Sequence, residues 1–185
     1  MKHFLFLLTV TLFSTAVFAQ VAASSASAAP DPTAGATEKS VAESLDWMMG
    51  EWEGEGVSPG EREFIGMMSV TRELDDNAVL IRRESMNKAG GPSGGRKEIM
   101  VIEVDGATRK IVMTVHASNH FIGIYSGEMK GSNEIVFTLV TSQPGYVNRR
   151  SFKLLGDGGV SFTIEGASPG KEVSRQVEIN FRKKS

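Results

Sequence analysis

Cysteine is absent from the 185 residues of this chain. Its absence excludes disulfides, thiol nucleophiles, thiolate metal sites and lipid attachment to an N-terminal cysteine. A packed core must therefore stabilise the folded part. An excess of positive charge is also missing, because 20 Lys and Arg stand against 22 Asp and Glu. The sequence consequently lacks the basic footprint of a nucleic-acid-binding protein, and no nucleic-acid partner is predicted.

Long hydrophobic runs are scarce. The sequence has one clear run, and it lies at the N-terminus. Lys2 precedes an apolar stretch from Phe4 to Phe13, and a small-residue segment then ends at Ala19. This order is typical of a secretory signal peptide, so we predict residues 1–19 as a cleaved signal peptide and a periplasmic or secreted protein. The run is shorter than the ~20 residues that span a membrane, and no membrane span is expected in the mature form.

The next segment, residues 20–39, has few large apolar side chains and is rich in Ala, Ser, Pro and Thr. Such a segment buries too little apolar surface to offset the entropy of ordering it, so we predict a flexible linker. The remaining residues, 40–185, have the length of a single folded domain.

A short helix is predicted at the start of this domain. Ser40 and the glutamate three residues later have the spacing of a capping box, in which both side chains satisfy free backbone N–H groups. Apolar residues at helical spacing follow, and Gly50 stands where a left-handed residue ends a helix. We expect the apolar side chains of Leu45, Met48 and Met49 to form a plug or lid.

Ten strand-like segments fill the rest of the domain. They are residues 51–57, 64–73, 78–86, 97–104, 110–116, 121–129, 134–141, 147–155, 159–165 and 172–182. Turn sequences such as Asp105-Gly106 separate them. This pattern predicts an all-β, up-and-down antiparallel meander, which avoids open edges by closing. We therefore predict a closed or nearly closed β-barrel with one short N-terminal capping helix.

The first predicted strand alternates three glutamates with Trp52, Gly54 and Gly56. Successive strand side chains point to opposite faces, so the glutamates are expected to face water and Trp52 to close one barrel end against the helix. The two glycines have two open interpretations. They either bend the strand at a barrel corner or leave room for a ligand.

The Gly50-x-Trp52 motif after a helix, followed by the meander, resembles the calycin superfamily of lipocalin and fatty-acid-binding barrels. More narrowly, the stretch GEWEGEG is similar to the opening strand of nitrobindin-like barrels. The segment from Gly123 to Gly127 is similar to exported bacterial calycin-like families of unknown function. The resemblance covers residues 45–183 and implies a barrel that holds a small hydrophobic ligand.

Nitrobindin-like barrels bind haem through a histidine that opens the last strand, and the matching position here is Gln176. Glutamine is a poor ligand for haem iron compared with His, Cys, Met or Tyr. The resemblance therefore implies the barrel without the haem, and no cofactor is predicted.

Two arginine pairs lie in predicted strands, Arg82-Arg83 and Arg149-Arg150. If the strands are continuous, one member of each pair points into the barrel. Arg150 shares its face with Phe152 and is the predicted inward member. Arg82 shares its face with Leu80, although Ile81 supports its neighbour equally. A β-bulge or strand end would instead let both arginines of a pair reach water.

An inward arginine needs an internal carboxylate or an anionic ligand. The fatty-acid-binding barrels hold a carboxylate with internal Arg and Tyr, so the resemblance implies Arg150, Arg82 and Tyr125 as ligand-binding residues. His116 is the predicted pH-sensitive polar residue of the pocket. The sequence thus predicts an exported binding protein for a small, largely apolar ligand that can carry an acidic group.

Several alternatives remain open at this stage. They are a haem-binding nitrobindin-like protein, an enzyme of unknown chemistry and a protein-interaction module. No nucleophile elbow or metal-ligand pattern singles out catalytic or metal-binding residues. The segments 99–102 and 111–113 are apolar on both faces. Cover on the outside, from a partner subunit or the linker, would explain them, and a homodimer is therefore a further prediction.

Overall fold

The computed structural model describes residues 40–59, 62–89, 95–141 and 143–185. The predicted signal peptide, residues 1–19, and linker, residues 20–39, lie outside the described residues and stay predictions. Within the described ranges, no helix is long and apolar enough to cross a membrane.

The described chain begins with one α-helical turn, α1 (Val41–Ser44), followed by a 3-10 turn at Asp46–Met48. The Ser40 hydroxyl accepts a hydrogen bond from the Glu43 N–H at 3.1 Å, and the Glu43 carboxylate accepts one from the Ser40 N–H at 3.0 Å. The capping box predicted from the sequence is therefore present. Gly50 follows with a φ of +121°, a backbone conformation that other residues rarely adopt.

Ten antiparallel strands follow, joined in sequence by hairpins. They are β1 (Gly50–Ser58), β2 (Arg62–Glu73), β3 (Ala78–Asn87), β4 (Arg96–Val104), β5 (Ile111–Ala117), β6 (Ile122–Met129), β7 (Glu134–Leu139), β8 (Val147–Leu154), β9 (Val160–Ala167) and β10 (Ser174–Lys183). Strand β1 pairs with both β2 and β10, so the sheet closes on itself. The predicted closed up-and-down barrel with one short helix is confirmed.

Apolar side chains form the core of the barrel toward the end that the helix covers. The side chains that fill this end are buried and apolar: Leu45, Met48, Trp52, Val70, Val79, Ile102 and Met113. The three glutamates of β1 are exposed on the outer face, as the alternation predicts. Helix α1 lies at this end, and β2, β4, β6, β8 and β10 begin at the other end, which α1 does not cover.

Gly54 and Gly56 lie where the backbone of β1 runs close against β10. A Cβ atom on Gly54 would lie 2.8 Å from the carbonyl carbon of Asn180 and 2.9 Å from the Cα of Phe181. A Cβ on Gly56 would lie 2.6 Å from a side-chain carbon of Ile179. The glycines therefore allow the close backbone approach that closes the barrel, and the backbone of β10 occupies the space that a ligand would need.

Replacing Gly54 by alanine is expected to lower the free energy of unfolding by about 1 to 3 kcal/mol, because the new methyl group meets backbone that cannot rotate away. Urea denaturation measures the loss. Gly106→Ala is the matched control, since no atom lies within 4 Å of a Cβ built there. Equal stability of the two variants would show that the β1–β10 contact tolerates a side chain.

Candidate functional site

Three strands carry fully buried charged side chains into the lumen. Arg83 on β3 and Glu98 on β4 are directly paired across the two strands. Arg150 projects from β8 on the opposite wall of the barrel. Each lies on the same face of its strand as buried apolar residues, and all three are at most 3% exposed. The alternation of the strands therefore places two positive charges and one negative charge inside the protein.

Glu98 is the hub of this network. Arg150 donates from Nη2 to Glu98 Oε1 at 3.0 Å and from Nη1 to Oε2 at 3.1 Å, a two-pronged contact between guanidinium and carboxylate. Arg83 donates from Nε to Oε2 at 2.9 Å and also from Nη2 to the same oxygen. The Arg96 Nε atom, on the same strand as Glu98, lies 2.9 Å from Oε1, but its N–H is not directed at that oxygen.

Tyr125 and Asn148 extend the network from β6 and β8. Arg150 donates from Nε to the Tyr125 hydroxyl at 3.1 Å, and that hydroxyl donates to Asn148 Oδ1 at 2.9 Å. Burial raises the pKa of Tyr125, so its hydroxyl is neutral and can donate to the amide oxygen while it accepts from Arg150. Arg150 is thus held at Nε, Nη1 and Nη2 by oxygen atoms.

The charges of the network do not balance. Burial alone would raise the pKa of Glu98, but Arg83 and Arg150 outweigh it and lower that pKa to about 2. Burial lowers the pKa of Arg83, and repulsion by Arg150 and Arg96 adds to the effect of burial. Arg150 instead has its pKa raised by Glu98 and Tyr125 against the opposing effect of burial. Arg83 is therefore the buried cation whose charge is least compensated.

A cavity of about 220 Å³ lies next to the network, toward the barrel end that the helix does not cover. Its lining residues come from five strands: Arg62, Phe64, Arg83, Ser85, Asn87, Arg96, Ile164, Val177 and Ile179. Arg83 Nη1 and Arg96 Nε are both buried and have no hydrogen-bond partner among the described residues. Two guanidinium groups therefore border one cavity, and Arg96 is already in an ion pair with Glu98. The positive charge beside the cavity suits an anionic ligand.

A wider groove of about 890 Å³ lies on the outer faces of β7 to β10. Its charged side chains largely neutralise one another, as in the ion pair of Lys153 with Glu134 at 3.5 Å and the contact between Arg175 and Glu178. The interior cavity is the better candidate site, because its positive charge is buried and only partly neutralised.

Two of the residues predicted for the site point elsewhere. Arg82 is exposed on the outer face, and Arg83 is the inward member of the pair. Leu80, which favoured Arg82, lies half-buried on the outer face, whereas Val79 and Ile81 share the inner face with Arg83. His116 is likewise exposed on the outer face of β5, so it is not a pocket residue. The predicted inward positions of Arg150 and Tyr125 match the structure.

Sequence reasoning missed Glu98, Arg96 and Ser85. The signal was present in β4, where Arg96 and Glu98 share their face with Met100 and Ile102. A glutamate on the apolar face of a strand requires an internal partner, and the neighbouring hairpin strand offers Arg83 in register.

The described residues do not group into a metal-binding site, and the position that corresponds to the haem ligand is occupied by Gln176. They contain no cluster of three or more His, Asp or Glu side chains that could hold a metal ion. Gln176 is exposed, and its amide donates to Ser174 Oγ at 2.8 Å. The expectation that no haem is bound stays a prediction, which titration with hemin would test.

The outer face of β4 to β6 is apolar at its centre. Ile99 is 48% exposed, Ile122 is 66% exposed and Ile124 is 54% exposed. Isoleucines are thus uncovered on the outside of the barrel, next to His116, as the apolar sequence on both faces of β4 suggested. The homodimer that would cover them stays a prediction.

Comparison with known proteins identifies the fold. No family model and no curated protein matches the sequence. The chain is similar in structure to Rv2717c from M. tuberculosis, with a TM-score of 0.60, 14% identity and coverage of 80% of this chain and 100% of that one. A de novo designed fluorescence-activating β-barrel matches with a TM-score of 0.38 and 13% identity over 76% of this chain and 97% of its own. At such identities the match to Rv2717c supports the barrel fold alone.

Proposed function

We propose that this protein is a calycin-like binding protein that holds a small organic anion in the open end of its barrel. The observation that carries the proposal is the guanidinium of Arg83, which is 3% exposed, borders the 220 Å³ cavity and leaves Nη1 without a hydrogen-bond partner among the described residues. Buried polar groups in proteins are nearly always satisfied, so an unused cationic donor beside a cavity favours an anionic ligand.

The charge of the interior supports the same conclusion. Arg83 and Arg150 share the single carboxylate of Glu98. Arg150 donates to both of its oxygens, whereas Arg83 donates to Oε2 alone. A buried cation without full compensation is unfavourable, and an anion in the cavity would supply the missing charge. The binding energy of the anion would then include the relief of an electrostatic cost that the protein carries without it.

The size of the cavity limits the ligand. Sites for drug-sized molecules commonly measure about 300 to 1,000 Å³, and this cavity measures about 220 Å³. The largely apolar ligand expected from the sequence must therefore be smaller than a long-chain fatty acid if it is to be enclosed. The acidic group takes a larger share of the recognition than the sequence suggested.

Replacing Arg83 by methionine is expected to weaken the binding of small organic anions at least tenfold, because the unused donor and its charge are removed. The measurement is calorimetric or NMR titration with acetate, hexanoate, benzoate and hexylphosphonate. Arg82→Met is the matched control, since Arg82 is the adjacent residue in sequence and faces outward. The proposal fails if no anion binds the wild type, or if every anion that binds does so equally to the Arg83 variant.

The same variant should keep its stability. Glu98 retains Arg150 and Arg96 as partners when Arg83 is removed, so no buried charge is left unpaired. We expect the free energy of unfolding of Arg83→Met to stay within about 1 kcal/mol of the wild type in the absence of ligand. Loss of binding without loss of stability would distinguish a binding role from a structural one.

A further inference from the structure

The outer surface of the barrel differs strongly between its two sides. Ile99 on β4, Ile122 and Ile124 on β6 and Val140 after β7 are exposed, and the half-buried Val101 lies beside them. The outer surface of β7 to β10 is instead lined mainly by polar and charged side chains. A contiguous apolar patch on one side of a soluble domain marks a surface that another molecule covers.

The apolar patch is arranged evenly on the two sides of β5. Ile99 of β4 and Ile122 of β6 lie directly opposite His116, one on each side. The next inner-strand position of the same face, two residues earlier on β5, has Val101 and Ile124 as its two neighbours. A second copy of the barrel, turned by 180° about an axis along β5, therefore meets this face with aliphatic residues against aliphatic residues.

Charged side chains flank the patch and do not enter it. On the outer face of β4, Lys97 and Glu103 stand at the two ends, and the two residues between them are aliphatic. Lys97 already has a partner, because its Nζ lies 3.2 Å from Glu84 Oε1. An apolar centre inside a polar rim is the usual arrangement of an interface between proteins.

The N-terminal segment of the chain is poorly suited to cover this patch. Residues 20–39 contain one residue among Val, Leu, Ile, Met and Phe, namely Val21. One such side chain cannot match several exposed aliphatic residues spread over three strands. A second copy of the chain brings the same residues at the same spacing, so it is the occupant that fits this face best.

We infer that this protein forms a homodimer in which the outer faces of β4 to β6 pack together about a two-fold axis along β5. His116 of one copy then faces His116 of the other, and Ile99 faces Ile122. Two neutral imidazoles at the axis can share a hydrogen bond, because each has one donor and one acceptor nitrogen. The cavity inside the barrel takes no part in this contact, so the inference is independent of the proposed function.

The extent of the face sets the expected affinity. Three strands about 4.8 Å apart and about 23 Å long give the centre of the interface a size of about 14 by 23 Å. The area buried on two such faces lies at the low end of specific interfaces. We therefore expect a dimer that dissociates at micromolar concentrations.

Sedimentation velocity from about 5 to 500 µM tests this dimer, and the average mass should rise toward twice that of the monomer. Ile124→Lys should weaken association at least tenfold, because it would bury a charge without a partner. Val57→Lys is the matched control, since Val57 is 52% exposed against 54% for Ile124 and lies on β1. Ile122→Lys repeats the test at a second position. A wild type that stays monomeric, or a dimer that both isoleucine variants leave intact, would overturn the inference.

The absence of cysteine makes the position of the axis directly testable. A cysteine in place of His116 meets its own copy across the axis. A bifunctional maleimide that spans about 10 Å, the usual distance between packed sheets, should therefore link two chains of His116→Cys. Val57→Cys should give no link at the same protein concentration. Linkage through Ile99→Cys but not through His116→Cys would overturn the axis along β5.

NMR distinguishes the other possible occupants of this face. A monomer in which the methyl groups of Ile122 and Ile124 show nuclear Overhauser contacts with Val21 would assign the face to the N-terminal segment. A monomer without these contacts would leave the face to a different protein. Either result overturns the homodimer.

Discussion

Replacing Glu98 by glutamine is expected to lower the free energy of unfolding at neutral pH by about 3 to 5 kcal/mol, among the largest effects of any single substitution in this domain. Glu98 is 2% exposed and is the only carboxylate that contacts Arg83, Arg150 and Arg96 in the described part of the chain. Glutamine keeps the volume and one acceptor oxygen but removes the charge. The arginines would then remain buried without a counter-charge.

Denaturation in urea measures this loss, with Glu103→Gln as the control. Glu103 lies on the same strand as Glu98 but on the outer, exposed face, so its substitution should change stability by less than about 0.5 kcal/mol. A Glu98 variant as stable as the control would show that solvent or an ion reaches the network and compensates the charges of the buried arginines in place of Glu98.

The acid dependence of the Glu98 effect follows from its depressed pKa. The folded protein lowers the pKa of Glu98 from its ordinary value of 4.5 to about 2, so the carboxylate stabilises the fold above pH 4.5. That contribution, about 3 kcal/mol, is lost as the pH falls from 4.5 through 2. The stability difference between wild type and Glu98→Gln should shrink over that interval and vanish near pH 2. A difference independent of pH would indicate lost packing rather than lost charge.

The barrel was predictable because its signals are local. Each hairpin turn and each alternating segment appears in the sequence independently of the others, and closure follows from the cost of leaving edges open. The observed strands differ from the predicted segments by one or two residues at most of their ends. The capping box at Ser40 is equally local, since its two side chains satisfy each other within one helical turn.

The site was predictable only in part, because it depends on which face of a strand is inside. Arg150 could be placed from Phe152, since a large aromatic residue marks the inner face clearly. Near Arg82 and Arg83 both faces of β3 carry aliphatic residues. Leu80, on the outer face, is itself half-buried, so it does not mark that face as exposed. The decisive information was non-local. Glu98, fifteen residues further on, pairs with Arg83.

The buried charges contribute differently to stability and to binding. The pair of Glu98 and Arg150 favours the stability of the fold, whereas Arg83, which borders the cavity, favours the binding of an anion. A balanced pair of Glu98 and Arg150 with its tyrosine would satisfy the barrel's internal polar groups, and Arg83 adds a charge that this arrangement does not need. Residues that cost stability while facing a cavity are a common property of binding sites. The placement of Arg83 therefore supports a ligand-binding function more strongly than the barrel fold does, because unrelated functions share that fold.

Replacing Trp52 by alanine is expected to lower the free energy of unfolding by about 3 to 5 kcal/mol, because a large buried ring is exchanged for a cavity. Trp52 is 3% exposed and lies at the helix-covered end of the barrel. Its indole Nε1 donates to the Met48 carbonyl at 2.7 Å, which ties the 3-10 turn to the first strand. Thermal or urea denaturation measures the loss.

Trp52→Phe separates the two contributions of this side chain. Phenylalanine retains much of the packing but leaves the Met48 carbonyl without its donor, so a loss of about 1 to 3 kcal/mol is expected, smaller than that of the alanine variant. Amide exchange should then accelerate in the 3-10 turn at Asp46–Met48 more than in the strands, because only the tie to the turn is cut. If alanine leaves stability unchanged, the ring does not seal the barrel end. If exchange accelerates equally everywhere, the hydrogen bond to Met48 supports the whole barrel rather than the attachment of the turn.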